Sequence, residues 1–114
     1  MLMTTAEVGN ALVVVVEDRR IDAAVAVRFK DQMLELPHKG HDRIVLDMRK
    51  VEFLDSSGLG AVVGAMKKLS NSCTLDIAGL TATVDKVFRI TRMDRVFRIY
   101  ANVDEALGDV AHAS

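Results

Sequence analysis

A short segment in the middle of the chain, Asp55-Ser56-Ser57-Gly58, holds more hydroxyl and carboxylate groups than a folded loop requires. Asp and Ser are good N-cap residues because their side-chain oxygens accept hydrogen bonds from the free amides of a helix's first turn. One such residue is enough, yet three stand in a row. Gly58 and Gly60 lack side chains, which lets another molecule approach the backbone closely. The segment is therefore a candidate docking or modification site, although a redundant helix cap with tightly packed glycines explains the same residues.

A catalytic serine is disfavoured by the positions of the histidines. A nucleophilic serine requires a base, usually His, within hydrogen-bond reach. His38 and His41 follow the first predicted helix, which places them at the opposite edge of a parallel α/β sheet, and His112 lies near the C-terminus. The segment also lacks the Gly-x-Ser-x-Gly pattern of a nucleophile elbow. We therefore expect a protein that is not an enzyme.

Nucleotide binding is a second alternative for the same glycines. Gly58, Gly60 and Gly64 give the spacing G-x-G-x-x-x-G, one residue away from the dinucleotide fingerprint, and the loop has no Walker lysine. The match is weak. We expect Gly64 to let its helix pack closely on the sheet, and we expect no cofactor.

Length and charge narrow the function classes. The 114 residues suit one compact domain, and the net charge of −1 disfavours binding that neutralises many phosphates. A single cysteine, Cys73, excludes an internal disulfide and a multi-cysteine metal site. The longest apolar run, Ala11–Val16, is too short to span a bilayer, and no charged leader precedes an apolar segment near Met1. We expect a cytoplasmic protein without nucleic-acid partners, membrane insertion or a bound metal, in which His38 and His41 are solvated.

The apolar periodicity predicts the secondary structure. Strands are predicted over Met3–Val8, Ala11–Val16, Arg43–Met48 with an extension through Val51–Leu54, Cys73–Ala78 and Val96–Tyr100, and helices contain Ala26–Leu36, Leu59–Leu69, Val84–Phe88 and Val103–Val110. Gly9-Asn10 is a two-residue hairpin signal, and Pro37 is expected to end the first helix. Asn102 with Glu105 is close to a capping box for the last helix.

Strands that alternate with helices imply right-handed crossovers and a mainly parallel sheet. The predicted fold class is α/β, with a mainly parallel, mixed sheet of about five strands and four helices in one domain over residues 1–114. Loops that leave the carboxyl ends of parallel strands gather at one edge of the sheet. Residues 18–22, 55–57, 79–81 and 101–102 are therefore expected to be neighbours.

Several segments together resemble one known family, the anti-sigma factor antagonists, which are stand-alone STAS proteins. Leu54–Gly60 is similar to the family's signature, and Ile21-Asp22 resembles its turn before the first helix. Val45–Asp47 with Val51–Leu54 looks like the strand that leads into the phosphorylation loop, and Val84–Phe88 looks like the helix after the next strand. The resemblance extends over nearly the whole chain and implies a STAS-like fold.

The resemblance also implies a function and its residues. In the family the first serine of the signature is phosphorylated, which corresponds to Ser56 here, with Asp55 and Ser57 as flanking positions. The dephosphorylated protein is then expected to bind a serine-kinase anti-sigma factor and free its sigma factor, and a serine phosphatase restores it after phosphorylation. The predicted partner-binding residues are Asp22, Asp55, Ser56, Ser57, Gly58 and Leu59.

Some expectations stay open at this point. Asp22 is either a cap for the first helix or part of the interface. The runner-up function is a STAS regulatory module with a non-sigma output, or an accessory subunit of an ABC lipid transporter. We expect the protein to be a monomer when free.

Two positions depart from the family pattern. Arg19-Arg20 stand where the family usually has Gly-Glu, so the charge beside the predicted site differs and bears on partner choice. Thr81-Ala82 stand where many members have Ser-Pro or Asn-Pro. Thr81 is expected to cap its helix by the same hydroxyl chemistry.

Overall fold

The computed structural model describes residues 3–36 and 40–113, with side chains up to residue 108, and this part of the chain forms seven strands and four α-helices. The strands are β1 Met3–Val8, β2 Ala11–Val16, β3 Arg20–Ile21, β4 Arg43–Asp47, β5 Phe53–Leu54, β6 Thr74–Ala78 and β7 Ile99–Tyr100. The helices are α1 Ala26–Glu35, α2 Ser56–Leu69, α3 Ala82–Ile90 and α4 Val103–Ala113, with a 3₁₀ helix over Met93–Arg95.

Five of the strands form one mixed sheet in the order β1-β2-β4-β6-β7. β1 and β2 are antiparallel and are joined at Gly9, whose φ of 59° suits the tight turn. The remaining neighbours are parallel. The central strands β2 and β4 are covered on both faces, which is why their sequences are continuous apolar runs. The predicted α/β fold with a mainly parallel, mixed sheet and four helices is confirmed.

Helices cover the two faces of this sheet unequally. α1, α2 and α3 pack on one face in a large core that contains Leu12, Val14, Ile44, Leu46, Ile77, Phe29, Met33, Val62, Ala65, Val84 and Phe88. α4 packs on the other face through Ala106, in a smaller cluster with Val13, Val45 and Ala78. Within the described residues, no helix is both long and apolar enough to cross a bilayer.

The predicted extension of β4 through Val51–Leu54 is wrong. The chain leaves the main sheet at Asp47, whose carboxylate accepts a hydrogen bond from the Arg49 amide at 3.1 Å and so closes a turn. β5 then pairs with β3 in a separate two-stranded parallel ladder, with Arg20 opposite Phe53. This ladder, and not the main sheet, leads into α2.

The last predicted strand, Val96–Tyr100, is shorter in the structure. Arg92 adopts a left-handed conformation, with φ of 62°, and starts the 3₁₀ helix that occupies the approach to β7. Phe97 turns into the core and lies edge-on to Phe88, with 5.9 Å between the ring centroids. α1 ends at Glu35, and Pro37 lies outside the described residues.

Candidate functional site at the start of helix α2

The four loops that were expected to meet do lie at one edge of the sheet. The Glu52 amide donates to the Arg19 carbonyl at 2.7 Å, which joins the loop after β2 to the segment before α2. The Thr81 hydroxyl donates to the Val51 carbonyl at 2.9 Å. The Gly79 amide, after β6, donates to the carbonyl of Tyr100 at the end of β7 at 3.1 Å. This carboxyl edge therefore presents a continuous surface around the serine segment.

Asp55 anchors the serine segment in two directions. It is the N-cap of α2, with an extended backbone, and its Oδ1 accepts a hydrogen bond from the Gly58 amide at 2.8 Å. Its Oδ2 accepts a second hydrogen bond from the Ala23 amide at 3.1 Å. The first bond begins the helix, and the second holds the loop before α1 against that helix start.

Ser56 and Ser57 take no part in this capping. Both are exposed residues of the first turn of α2. Their amides and hydroxyls make no hydrogen bond with any described residue. Because Asp55 alone caps the helix, the two hydroxyls are available to another molecule.

The glycines of α2 serve different purposes. A Cβ on Gly58 would lie 2.0 Å from the Ile21 carbonyl oxygen, so only glycine lets β3 approach the helix this closely. Gly60 is exposed, and a Cβ there would meet nothing within 4 Å. Leu59, between them, is half-buried against the large core.

Gly64 does not face the sheet as predicted. A Cβ at this position would lie 3.3 Å from Cε of Lys30, whose stem comes from α1. The glycine therefore makes room for a side chain of the neighbouring helix, and the expected helix-to-sheet contact is wrong.

Asp22 lies beside the serine segment, but it does not cap α1. The N-cap of α1 is Val25, without a side-chain cap bond. Asp22 is half-buried; its Oδ1 accepts from the Ala24 amide at 3.1 Å, and its Oδ2 lies 3.4 Å from Nε of Arg20. Its carboxylate thus fixes the loop and one arginine.

Arg20 lies beside the serine segment as predicted, but its contact with Phe53 was not predicted. Its guanidinium carbon lies 4.1 Å from the ring centroid of Phe53, a cation–π distance. The register of the β3–β5 ladder sets these two residues opposite each other. The two residues are 33 positions apart in the chain, and no local pattern indicates their contact.

Other carboxylates near this edge are also paired. Oδ2 of Asp47 lies 3.4 Å from Nε of Arg49, and the Asp47 side chain is buried. Glu17 accepts hydrogen bonds from Lys50 and from the Thr4 hydroxyl, and these bonds hold the pKa of Glu17 below its ordinary value. Arg49 and Lys50 therefore balance the negative charge of Asp47 and Glu17.

Two further predictions about polar side chains are corrected. The Thr81 hydroxyl makes no cap bond with α3 and instead binds the Val51 carbonyl, because the chain turn before β5 lies within its reach. His41 is not solvated: its side chain is 8% exposed, and its Nε2 lies 3.4 Å from Oε1 of Glu7. It precedes β4, at the edge opposite the serine segment. His38 and the side chain of His112 lie outside the described residues.

Comparisons with known proteins give consistent matches. A family model described as the STAS domain matches residues 3–106. A proposed anti-sigma factor antagonist of Thermotoga neapolitana is 30% identical over 101 residues, which cover 87% of this chain and 89% of that protein. An anti-sigma-B factor antagonist of Listeria monocytogenes is 31% identical over 80 residues, which cover 69% of this chain and 70% of that protein.

A solved structure also matches. The crystal structure of an anti-sigma factor antagonist from Mycobacterium paratuberculosis superposes with a TM-score of 0.84, covering 96% of this chain and 93% of that chain. The two sequences are 23% identical, so this likeness shows a shared fold.

Proposed function

Because the chain belongs to the STAS domain family, we propose that it is an anti-sigma factor antagonist that docks on its partner through the start of α2. In this proposal the dephosphorylated protein binds a serine-kinase anti-sigma factor and so frees a sigma factor. The kinase phosphorylates Ser56, which releases the antagonist, and a serine phosphatase restores it. The relatives named above, which include an anti-sigma-B factor antagonist, support this assignment.

One observation carries the proposal: Asp55 completes the cap of α2 by itself. Ser56 and Ser57 are then exposed at a helix start, and their hydroxyls take no part in capping it. A kinase must bring a serine hydroxyl to its own bound nucleotide, and an exposed, unpaired hydroxyl meets that requirement.

Gly60 supports the same surface as the place of docking. Glycine in a helix interior costs about 1 kcal/mol relative to alanine. A Cβ on Gly60 would meet no atom within 4 Å, so the packing of the fold does not require glycine at this position. The flat surface that Gly60 leaves in the first turns of α2 would let a partner approach the helix backbone closely.

Phosphorylation of Ser56 would act on binding and leave the fold intact. It adds a charge of about −1.5 to −2 beside Asp55. The positive end of the helix dipole and the unpaired amides of Ser56 and Ser57 offset part of that charge. An acidic or apolar partner surface does not tolerate it, and a loss of about 2.8 kcal/mol weakens binding roughly a hundredfold.

The test is a binding screen against purified serine-kinase anti-sigma factors from the source organism, one at a time, by isothermal titration calorimetry. We expect wild type and Ser56→Ala to bind one of them and Ser56→Asp to lose that binding about a hundredfold. Ser57→Ala is the matched control and should still be phosphorylated.

Two results would contradict the proposal. Binding that is unchanged by both Ser56 substitutions would remove the switch. After incubation with ATP and the kinase, a phosphate found by mass spectrometry on Ser57 alone would show that the assigned residue is wrong.

A further inference from the structure

We propose that Arg20 selects a partner protein that presents an Asp or Glu carboxylate to the surface beside Ser56. This inference rests on the proposed partner switch and names the chemistry of the partner's contact. Arg20 belongs to β3 and pairs with Phe53, and the same ladder continues from Leu54 into the serine segment. Arg20 is therefore part of the surface on which the partner docks.

The Arg20 side chain is already held in position before any partner arrives. Its guanidinium lies over the Phe53 ring at 4.1 Å, and its Nε lies 3.4 Å from Oδ2 of Asp22. Its side chain is nevertheless 60% exposed. An exposed arginine normally loses rotamer freedom on binding, and a side chain that is held in advance loses less. This distinguishes Arg20 from an ordinary surface cation, whose ion pairs contribute little.

The guanidinium keeps a donor edge for another molecule. Asp22 is near Nε, whereas neither Nη atom of Arg20 has a hydrogen bond within the described part of the chain. Two Nη groups on a planar fork match the two oxygens of a carboxylate. Arginine at such a position is typical of the residues that dominate binding energy in interfaces.

The surrounding charges favour an acidic contact. Arg19 adds a second exposed cation next to Arg20. Asp22 and Asp55 are half-buried and accept bonds from the backbone amides of Ala24, Gly58 and Ala23. Glu52, whose amide donates to the Arg19 carbonyl at 2.7 Å, is an exposed carboxylate. The exposed charges here are thus two cations, Arg19 and Arg20, against one carboxylate, Glu52, and a carboxylate on the partner complements this positive excess.

This contact also explains why one phosphate is sufficient for release. Asp55 joins the two parts of the surface, since its carboxylate holds Ala23 while Ser56 follows it in the chain. A phosphate on Ser56 places negative charge on the same surface as the partner's carboxylate. The attraction to Arg20 is then opposed by repulsion, and the phosphate also competes for the guanidinium.

The experiment measures the affinity of the kinase found in the screen for Arg20→Gln and Arg20→Glu at low and high salt. We expect Arg20→Gln to bind about tenfold more weakly and Arg20→Glu about a hundredfold more weakly. The dependence of affinity on salt should be flatter for Arg20→Gln. Arg95→Glu is the matched control, because Arg95 is an exposed arginine of the 3₁₀ helix after α3, and it should bind like wild type.

Two further variants keep the result interpretable. Phe53→Leu removes the ring under Arg20 and retains the charge, and it should weaken binding several-fold. Replacing one Asp or Glu on the kinase by Arg should restore the binding of Arg20→Glu. Thermal unfolding of each variant verifies that the fold is unchanged.

The outcomes separate this inference from the proposed function. If both Arg20 variants bind like wild type while Ser56→Asp loses binding, the role of Arg20 is wrong and the switch stands. If wild type binds no serine-kinase anti-sigma factor, both ideas fail. Loss of binding by Arg20→Glu that no charge reversal on the kinase restores also overturns the carboxylate contact.

Discussion

Helices α2 and α4 both begin at the carboxyl edge of the sheet, but they complete their first turns in opposite ways. At α4, Oδ1 of Asn102 accepts from the Glu105 amide at 2.8 Å, and Oε2 of Glu105 accepts from the Ala101 amide at 3.2 Å. Asp104 and Glu105 also place two carboxylates in that first turn. α2 has Asp55 as its cap and no acidic residue in its first turn.

The start of α2 can accept negative charge that the start of α4 already carries. Acidic residues in the first turn of α4 already compensate the positive end of its dipole. At α2 the corresponding positions hold two neutral serines and a glycine, so part of that positive field is left for a charge that arrives later. The start of α4 carries acidic side chains of its own, whereas the start of α2 has only the Asp55 cap and can accept further negative charge.

The largest expected effect comes from Gly58→Ala. The new Cβ would lie 2.0 Å from the Ile21 carbonyl oxygen, and the backbone must shift to make room. We expect the free energy of unfolding, measured by urea denaturation, to fall by about 3 kcal/mol. In α4, a Cβ on Gly108 meets nothing within 4 Å, so Gly108→Ala should raise the free energy of unfolding by about 1 kcal/mol. Equal effects of the two substitutions would show that β3 does not hold the start of α2.

Removal of the two caps shows how much more Asp55 contributes to the free energy of unfolding than Asn102. Asp55→Ala loses the helix cap and the bond to Ala23, and it should lower the free energy of unfolding by about 2 kcal/mol. Asn102→Ala loses one cap bond and should lower it by about 1 kcal/mol. Urea denaturation of both variants gives the difference. If the two losses are the same, the bond to Ala23 contributes nothing to stability.

Gly60→Ala separates stability from binding. Alanine is the better helix former, so the free energy of unfolding should rise by about 1 kcal/mol, as for Gly108→Ala. Binding to the kinase should fall about tenfold for Gly60→Ala alone, because the added methyl group holds the partner away from α2. Calorimetric titration of the two variants tests this. Unchanged binding by Gly60→Ala would exclude a close approach at this turn.

The smallest expected effect concerns the two dipoles directly. Ser56→Asp should raise the free energy of unfolding by about 0.5 kcal/mol, and Asp104→Asn should lower it by a similar amount. Both changes should disappear at roughly 1 M salt, where the Debye length is about 3 Å. A destabilising Ser56→Asp would mean that the start of α2 does not accommodate negative charge.

Much of the fold could be predicted from local patterns. The β1–β2 hairpin follows from Gly9-Asn10 between apolar runs, and the capping box predicts the start of α4. The β3–β5 ladder could not be predicted in this way, because strands of two residues have no readable alternation. The same holds for Val96–Tyr100, where a left-handed Arg92 starts a 3₁₀ helix.

The candidate site likewise has features that local residue types predict and contacts that they do not. Asp55 as a cap and the exposed serines follow from the residue types at a helix start. The tie from Asp55 to Ala23, and the stack of Arg20 on Phe53, join residues more than 30 positions apart. Such contacts depend on the register between β3 and β5, which is a property of the folded chain.

The β3–β5 ladder is only two residue pairs long, and its stability affects the fraction of molecules that can bind a partner. Because a ladder of two pairs has few hydrogen bonds, we expect it to open more readily than the central sheet. Opening of the ladder would separate Arg20 and Asp22 from the serine segment and so disrupt the proposed docking surface. The apparent affinity for a partner is then the intrinsic affinity scaled by the fraction of molecules with the ladder closed. In the proposed function, temperature and distant substitutions would therefore change the fraction of molecules that can bind, with no change in the amount of protein.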